Sequence, residues 1–418
     1  MSESDIAFIN PSSPFLVDQF VMPPLGIMYL SSYLKSKGIY TTIHDLAISD
    51  TTNNITNITN GSIPYVKYTA FTATTPQYPY ALKAMKENKN NKNETINIIG
   101  GAHVSSFLSS QQDGWDVSVV GEGELALYQI VKNEKISNTV IVGKQIENLD
   151  SLPFPDREWN GFEKYHYKFN DYNATTAMTS RGCPYNCGFC FNMFGNKVRF
   201  MSPEKVIEEA KDIQKLGFDM IQYYDDTFTI NKQRVVKIAD GLKDIGMKYR
   251  CFVRANTVNN ELLLKLKDTG CVEIGMGVES GSRKILDTID KQITVEQCEK
   301  VIEYCHKIGL SIKIFLMVGL PGESYDTIED TIKFIRKNKP DDYDIAIYTP
   351  FPGTDIWTNK DKNKYDIIFD RNSINYEKMF YKGIAGNYSS QVSTSHLTSD
   401  EIEKLRDYID IDVRNEIA

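Results

Sequence analysis

The sequence predicts an α/β protein. A doubly wound parallel sheet of Rossmann-like type is followed by a partial (β/α)6 TIM-type barrel and a short C-terminal segment. Three observations lead there. Short apolar runs ended by turn residues alternate with amphipathic segments of helical period in both halves of the chain. The alternation breaks once, between roughly 140 and 172, in a stretch rich in Pro and aromatics. At 418 residues the chain is also longer than one core usually organises.

The first half opens with "DIAFINPSS" (5–13), a strand closed by turn residues. "PPLGIMYLSSYLKSKG" (23–38) has helical periodicity, Pro at its start and Gly38 beyond its end. Strands follow at 40–48, 65–76, 95–106 and 116–124, with helices near 77–88 and from about 124. Such alternation implies a parallel sheet covered on both faces. The polar run 51–62 reads as a surface loop, and the Lys-rich run 83–94 as a solvated helix end. "ENLDSLPFPDREWNGFEKYHYKFND" (147–171) suits an ordered linker.

The second half restarts the alternation. Strands are expected at 173–182, 219–229, 248–256, 271–280, 310–319 and 342–350, with helices near 203–216, 232–245, 259–269, 294–308 and 324–338. Chemistry in such a fold sits on loops at the C-terminal ends of the strands. A last helix is expected near 399–416. The expected organisation is 1–140, linker 141–172, barrel 173–357 and C-terminal segment 358–418, in which the aromatics of 376–396 cap the barrel mouth or pack on it.

Net charge is −8, with 41% hydrophobic and 24% charged residues, which argues against nucleic acid as a partner. No apolar run reaches the roughly 18 residues of a membrane span, and the N-terminus lacks a basic signal-peptide start. A cytoplasmic location with reduced thiols is expected.

Three of the seven cysteines stand in "TSRGCPYNCGFCFNMFG" (179–195) as Cys183, Cys187 and Cys190. They follow the first strand of the second half, at the expected mouth. Crowded thiolates select zinc, copper(I) or iron–sulfur clusters. A structural zinc site closes with four ligands, yet no second C-x-x-C exists and the histidines at 44, 103, 166, 306 and 396 are scattered. Cys251, Cys271, Cys298 and Cys305 read as core packing. Three thiolates on a four-iron cluster leave one iron open to an outside ligand.

The C-x-x-x-C-x-aromatic-C loop, with Phe189 before Cys190, resembles the signature of the radical S-adenosylmethionine (SAM) superfamily. The strand ends "YYDDTFT" (223–229), "VRAN" (253–256), "GVESGS" (277–282), "VGLPGES" (318–324) and "YTPFPGT" (348–354) resemble its substrate- and SAM-facing segments. The resemblance implies a [4Fe–4S] cluster on the three cysteines, its open iron chelated by SAM, and reductive cleavage to a 5′-deoxyadenosyl radical. It further implies SAM contacts at Phe189, Asp225, Asp226, Arg254, Glu279 and Gly319. Glu279 suits ribose hydroxyls or the SAM amino group, and equally a rim salt bridge. Adjacent strand residues face opposite ways, so one of Asp225 and Asp226 looks inward. Arg254 suits the SAM carboxylate or a structural ion pair. The turn around Gly319 brings backbone near adenine.

In the first half, "PPLGIMYLSSYLKSKG", "TAFTATTPQY", "IIGGAHVSS" and "VVGEGE" resemble the cobalamin-binding domain preceding the barrel in one radical SAM class. Ligands in doubly wound sheets bind outside the carboxyl ends of the strands. The resemblance therefore implies cobalamin contacts at Pro24, Gly26, Thr72, Thr74, Gly100, Gly101, His103, Gly121 and Glu122. The D-x-H-x-x-G motif of cobalamin-dependent mutases is absent, and His103 reads as a loop or tail contact rather than a cobalt ligand. The bland alternative is a degenerate domain used for packing.

The resemblance implies a cobalamin-dependent methyltransferase acting on an unactivated carbon or on phosphorus. The same cofactors also serve oxidation or ring closure, as in anaerobic tetrapyrrole cyclases, and a non-catalytic cobalamin or cluster sensor is the reading from another class. Implied partners are a small-molecule or peptide substrate and an electron donor such as flavodoxin or ferredoxin.

Overall fold

The structure is a computed structural model that describes residues 4–417 apart from 15, 17, 50–62, 92–93, 108–112, 134–138, 359–363 and 375–387. The expected surface loop at 51–62 and most of the expected cap at 376–396 lie outside the described residues. The chain divides into two compact units, Met1–Asp171 and Tyr172–Ala418. Among the described residues no helix is long and apolar enough to cross a membrane.

In the first unit, strands β1 (Ile6–Asn10), β2 (Thr41–Asp45), β3 (Tyr68–Thr72), β4 (Ile96–Gly100), β5 (Val117–Gly121) and β6 (Thr139–Gly143) form one sheet. Its order is β2-β1-β3-β4-β5-β6, and the pairs are parallel. β1 and β3 are buried at nearly every position, as strands covered on both faces must be. Helices α1 (Leu25–Ser36), α2 (Tyr78–Asn91), α3 (Ala102–Ser106) and α4 (Glu124–Asn133) connect them. Ile9, Phe71, Ile99, Ala81, Met85 and Trp115 build a core between sheet and helices. The strand order reverses between β1 and β3, where doubly wound sheets take their ligands.

Two sequence expectations are corrected here. The strand expected over 95–106 ends at Gly100, because Gly101 adopts φ +97° and turns the chain into α3. The stretch 141–172, expected as a linker, begins inside β6, a sixth strand that the periodicity did not separate from its surroundings. The residues after β6 cluster with the first unit as far as Asp171.

In the second unit, β7 (Tyr172–Ala177), β8 (Met220–Tyr223), β9 (Lys248–Val253), β10 (Cys271–Glu279), β11 (Ser311–Val318) and β12 (Asp342–Ile347) pair in parallel in chain order. They curl into a partial barrel behind α5 (Pro203–Lys215), α6 (Lys232–Asp244), α7 (Asn260–Asp268), α8 (Val295–Ile308) and α9 (Tyr325–Asn338). β11 shows why the helices cover one face. Ile312, Ile314, Leu316 and Val318 are buried, while Lys313, Phe315 and Met317 alternate with them toward the other face. On that face Gly275 lets the sheet close, since a Cβ there would stand 2.8 Å from the Phe252 ring and 2.9 Å from that of Phe315. The expected C-terminal helix is α10 (Ser399–Tyr408), which loosens into a π-helical turn at Ile409–Val413. The Tyr343 hydroxyl donates to the Ile409 carbonyl there, 2.5 Å away.

Candidate active site

The three-cysteine loop leaves the end of β7 through a short antiparallel pair, Ser180–Arg181 with Arg199–Phe200. Gly182 follows at φ +99°, where a Cβ would stand 2.6 Å from the Lys197 carbonyl oxygen and 2.8 Å from that of Gly195. No other residue fits that turn. The loop is then fastened by its own backbone. Cys183 N–H donates to the Gly195 carbonyl (3.2 Å), Cys190 N–H to that of Cys187 (3.0 Å), and Gly188 N–H to that of Ile289 (2.9 Å). Asn192 Nδ2 donates to the Cys183 carbonyl at 2.8 Å. Cys183 and Cys187 are half-buried and Cys190 is exposed.

Asp225 and Asp226 divide as adjacent strand-end residues should, although the loop takes the buried one for itself. Asp225 is 1% exposed. Its Oδ1 accepts from Thr179 N–H (2.6 Å), and its Oδ2 accepts from Thr179 Oγ1 (2.6 Å) and Ser180 Oγ (2.5 Å). The sequence reading placed Asp225 among SAM contacts, but its oxygens hold the two residues that lead into the cysteine loop. Asp226 is solvent-exposed, and its charge adds to the burial that raises the thiol of half-buried Cys183.

Two cations flank the loop. Arg254, 5% exposed at the end of β9, donates from Nη1 to Cys187 Sγ at 3.4 Å, and its guanidinium lies 3.8 Å over the Tyr185 ring. Its Nε and Nη2 are buried without a hydrogen-bond partner. Lys291 donates to Glu279 Oε1 at 2.5 Å, and its Nζ lies 5.7 Å from the Phe189 ring centroid. Glu279 takes φ +69° at a bulge ending β10, and Asp290 and Gln292 on either side of Lys291 take φ of +53° and +54°. Side chains rarely tolerate that backbone, and such strain concentrates at functional sites. Gly277 makes room for the pair, since a Cβ there would meet Glu279 Oε1 at 2.6 Å and Lys291 Nζ at 2.9 Å. Lys291 escaped the sequence reading because it belongs to no periodic or motif pattern, and Tyr185 because it fills an unspecified position of the cysteine motif.

Gly319 also differs from expectation. Its φ is +87°, but a Cβ there would stand 3.2 Å from Ile402 Cγ2 and 3.3 Å from Val392 Cγ2, so the C-terminal segment covers that face. The turn is held by Glu323, fully buried, whose Oε2 accepts from Gly319 N–H (2.5 Å) and Leu320 N–H (3.2 Å). Burial pushes the Glu323 carboxyl up to about 8 from 4.5, more than those two bonds offset. The folded chain therefore keeps a proton that the unfolded chain releases between those values. Stability falls as pH rises through that window, by up to about 1.4 kcal/mol per pH unit. Glu323→Gln keeps the shape without the titration, and denaturant melts of the variant are expected to show a flatter pH slope. An unchanged slope would assign the dependence elsewhere.

In the first unit the strand-order reversal carries a cavity of about 280 Å³. It is lined by Asn10 at the end of β1 and Ser13 beyond it, Thr72 at the end of β3 and Thr74 beyond it, and Pro24 and Gly26 at the start of α1. Four of the expected cobalamin contacts thus meet there. Ser13, which the sequence reading passed over as part of a turn, contributes a buried Oγ with no hydrogen-bond partner. Gly26 faces open space. The other five expected contacts do not line that cavity. Gly100 pairs with Thr72 at the strand ends. Gly101 packs so closely that a Cβ would stand 2.8 Å from Thr72 Oγ1 and 2.9 Å from the Ala73 backbone. Gly121 N–H donates to Ser105 Oγ (3.0 Å), and Glu122 accepts from Ile146 N–H (2.9 Å). His103 stacks between Tyr78 (4.0 Å) and Phe107 (5.1 Å), and burial lowers its imidazole to about 4, so it is neutral at physiological pH.

The residues fit the groups expected of them. Among the described residues no three His, Cys, Asp or Glu side chains focus on one ion position. A four-iron cluster takes each thiolate on a different iron, so it suits three separate thiols on one fastened loop. The orphaned nitrogens of Arg254 and the carboxylate of Glu279, whose backbone is strained, supply polar groups for a charged ligand. The cavity, with its orphaned hydroxyl, has room for part of a corrinoid.

Comparison with known proteins points the same way. A model described as the radical SAM superfamily matches residues 178–335, and one described as a B12 binding domain matches 15–131. The uncharacterized methyltransferase PH0819 of Pyrococcus horikoshii is 31% identical over 334 residues, 74% of this chain and 70% of that protein. The anaerobic magnesium-protoporphyrin IX monomethyl ester cyclase of Rubrivivax gelatinosus is 27% identical over 368 residues, 80% of this chain and 66% of that protein. The structure of the radical SAM methyltransferase TsrM from Kitasatospora setae, with cobalamin and a [4Fe–4S] cluster bound, superposes with a TM-score of 0.68. That match is 14% identical and covers 84% of this chain and 74% of that one, which shows a shared fold.

Proposed function

Because the chain belongs to the radical SAM superfamily, in the class that carries a B12-binding domain, we propose that it is a cobalamin-dependent methyltransferase acting on an unactivated carbon or phosphorus centre. The observation that carries this reading is the three-thiol loop at the C-terminal edge of a parallel partial barrel, in a chain whose other sheet has a cavity at its strand-order reversal. When bound, the cluster and SAM supply one-electron radical chemistry, and the corrinoid carries the methyl group.

The chain's own residues bind and orient. Cys183, Cys187 and Cys190 are the cluster ligands in this reading, on a loop whose path Gly182 and Asp225 fix. Phe189 stands beside Lys291, which holds the Glu279 carboxylate at the rim for the SAM amino group or ribose hydroxyls. Asp226 offers a solvent-facing acceptor beside the thiols. Ser13, Thr72 and Thr74 offer hydroxyls to the corrinoid. An electron donor such as flavodoxin or ferredoxin and a small-molecule or peptide substrate complete the assignment. The seven free cysteines suit a reducing cytoplasm.

The methyltransferase names of PH0819 and TsrM support methyl transfer, whereas the Rubrivivax cyclase supports an oxidative ring closure on the same cofactors. Anaerobic reconstitution with iron, sulfide, hydroxocobalamin, SAM and reductant tests the reading. The expected products are 5′-deoxyadenosine and S-adenosylhomocysteine. Deoxyadenosine without S-adenosylhomocysteine favours the oxidative alternative, and neither product would sink both.

Gly26→Leu tests the cavity separately. Gly26 lies inside α1, where leucine has the better helix propensity by about 1 kcal/mol, so the fold is expected to stand while the side chain fills the open space. Corrinoid absorbance after desalting is expected to fall about tenfold or more, for about 1.4 kcal/mol or more of lost binding. Full retention would move the corrinoid elsewhere.

A further inference from the structure

We propose that Arg254 sets the reduction potential of the iron–sulfur cluster by donating a charged hydrogen bond to one of its ligand sulfurs. The proposal rests on the radical SAM reading and adds to it, because nothing in that reading assigns the cluster's electronics to a side chain.

The guanidinium is placed for this role and cannot readily leave it. Nη1 donates to Cys187 Sγ at 3.4 Å. The plane lies 3.8 Å over the Tyr185 ring, two residues before Cys187 in the same loop. At the other end, the Arg254 carbonyl accepts from Thr257 N–H (2.9 Å) and from Thr257 Oγ1 (2.8 Å). The Tyr185 hydroxyl donates to Asn256 Oδ1 at 3.3 Å, joining the cysteine loop to the end of β9.

Charge decides between the two cations of the site. Lys291 is neutralised by Glu279 in a buried pair. Among the described residues Arg254 is buried without an ion-pair partner, and its Nε and Nη2 have no hydrogen-bond partner. Arginine side chains carry their charge in proteins. One-electron reduction adds a negative charge that spreads over the cluster and its thiolates. A fixed, desolvated cation against a ligand sulfur stabilises the reduced form more than the oxidised one, and so raises the potential. Hydrogen bonds to ligand atoms are an established means of tuning a metal site.

The test is a redox titration of the reconstituted full-length protein without SAM, followed by electron paramagnetic resonance of the reduced cluster. Arg254→Gln keeps a hydrogen-bonding side chain and removes the charge. Its cluster is expected to be at least about tenfold harder to reduce, a drop of about 59 mV for a one-electron couple. Arg254→Lys keeps the charge on a more flexible stem without the stacking plane, and is expected to fall between wild type and Arg254→Gln. If Arg254→Gln loads no cluster, the comparison of wild type with Arg254→Lys still decides, with a lower potential expected in the lysine variant.

Potentials equal to wild type overturn the proposal. Equal SAM-free potentials with weakened SAM binding would instead return Arg254 to the SAM carboxylate. Wild-type protein that takes up no four-iron cluster would be a failure of the radical SAM reading, distinguishable from a failure of this one.

Discussion

Cys183→Ala, Cys187→Ala and Cys190→Ala are each expected to lose the four-iron signal after anaerobic reconstitution. Formation of 5′-deoxyadenosine should fall by more than about 100-fold, since deleting a ligand must exceed the 10–100-fold cost of deleting its outer-shell partner. The same variants should melt close to the wild-type apoprotein. Cys190 is exposed and the other two are half-buried, so little packing is lost, and the loop is fastened by backbone bonds that alanine keeps. Cys298→Ala is the contrasting control. Cys298 is fully buried on α8, so its replacement should lower stability and leave the cluster in place. Iron content, absorbance and product analysis read all four. A Cys183→Ala protein that kept the four-iron signal would remove the three-thiol reading.

Asp225→Ala is expected to be the most destabilising change near the site. It removes a buried acceptor and leaves Thr179 N–H, Thr179 Oγ1 and Ser180 Oγ without the partner they have in the structure. Losing a buried charged acceptor of this kind costs about 3 kcal/mol or more, equivalent to a fall of roughly 6–12 °C in the melting of a unit this size. Thr179 and Ser180 lead directly into Gly182 and Cys183, so cluster occupancy should fall with stability. Thermal melts of the apoprotein measure the first effect, and iron content the second. A variant that melts like wild type yet binds SAM poorly would make Asp225 a ligand contact, as its position in "YYDD" alone suggested.

Glu323 and Gly319 belong to the same lesson. The "VGLPGE" turn was legible as a turn, yet only packing reveals that Ile402 and Val392 cover Gly319 and that burial keeps Glu323 protonated. His103 reads as a loop or tail contact in "GGAHVSS" and proves to be stacked between two rings. Ile402, Val392 and Tyr78 come from segments far away in the chain.

The sequence by itself determined the alternation of strands and helices, the parallel sheets and the three-thiol loop with its vacancy. Those are local facts, set by apolar period, turn residues and the spacing of ligands within one loop. Only the tertiary structure decided which carboxylate faces outward, which cation stands uncompensated against a ligand sulfur, and which of the expected cobalamin contacts line a cavity. Asp225 and Asp226 are chemically identical neighbours, and Arg254 and Lys291 carry the same charge. What separates them is burial and the partner each meets, Thr179 and Ser180 for one acid and Glu279 for one cation, and those partners lie 12 to 46 residues away.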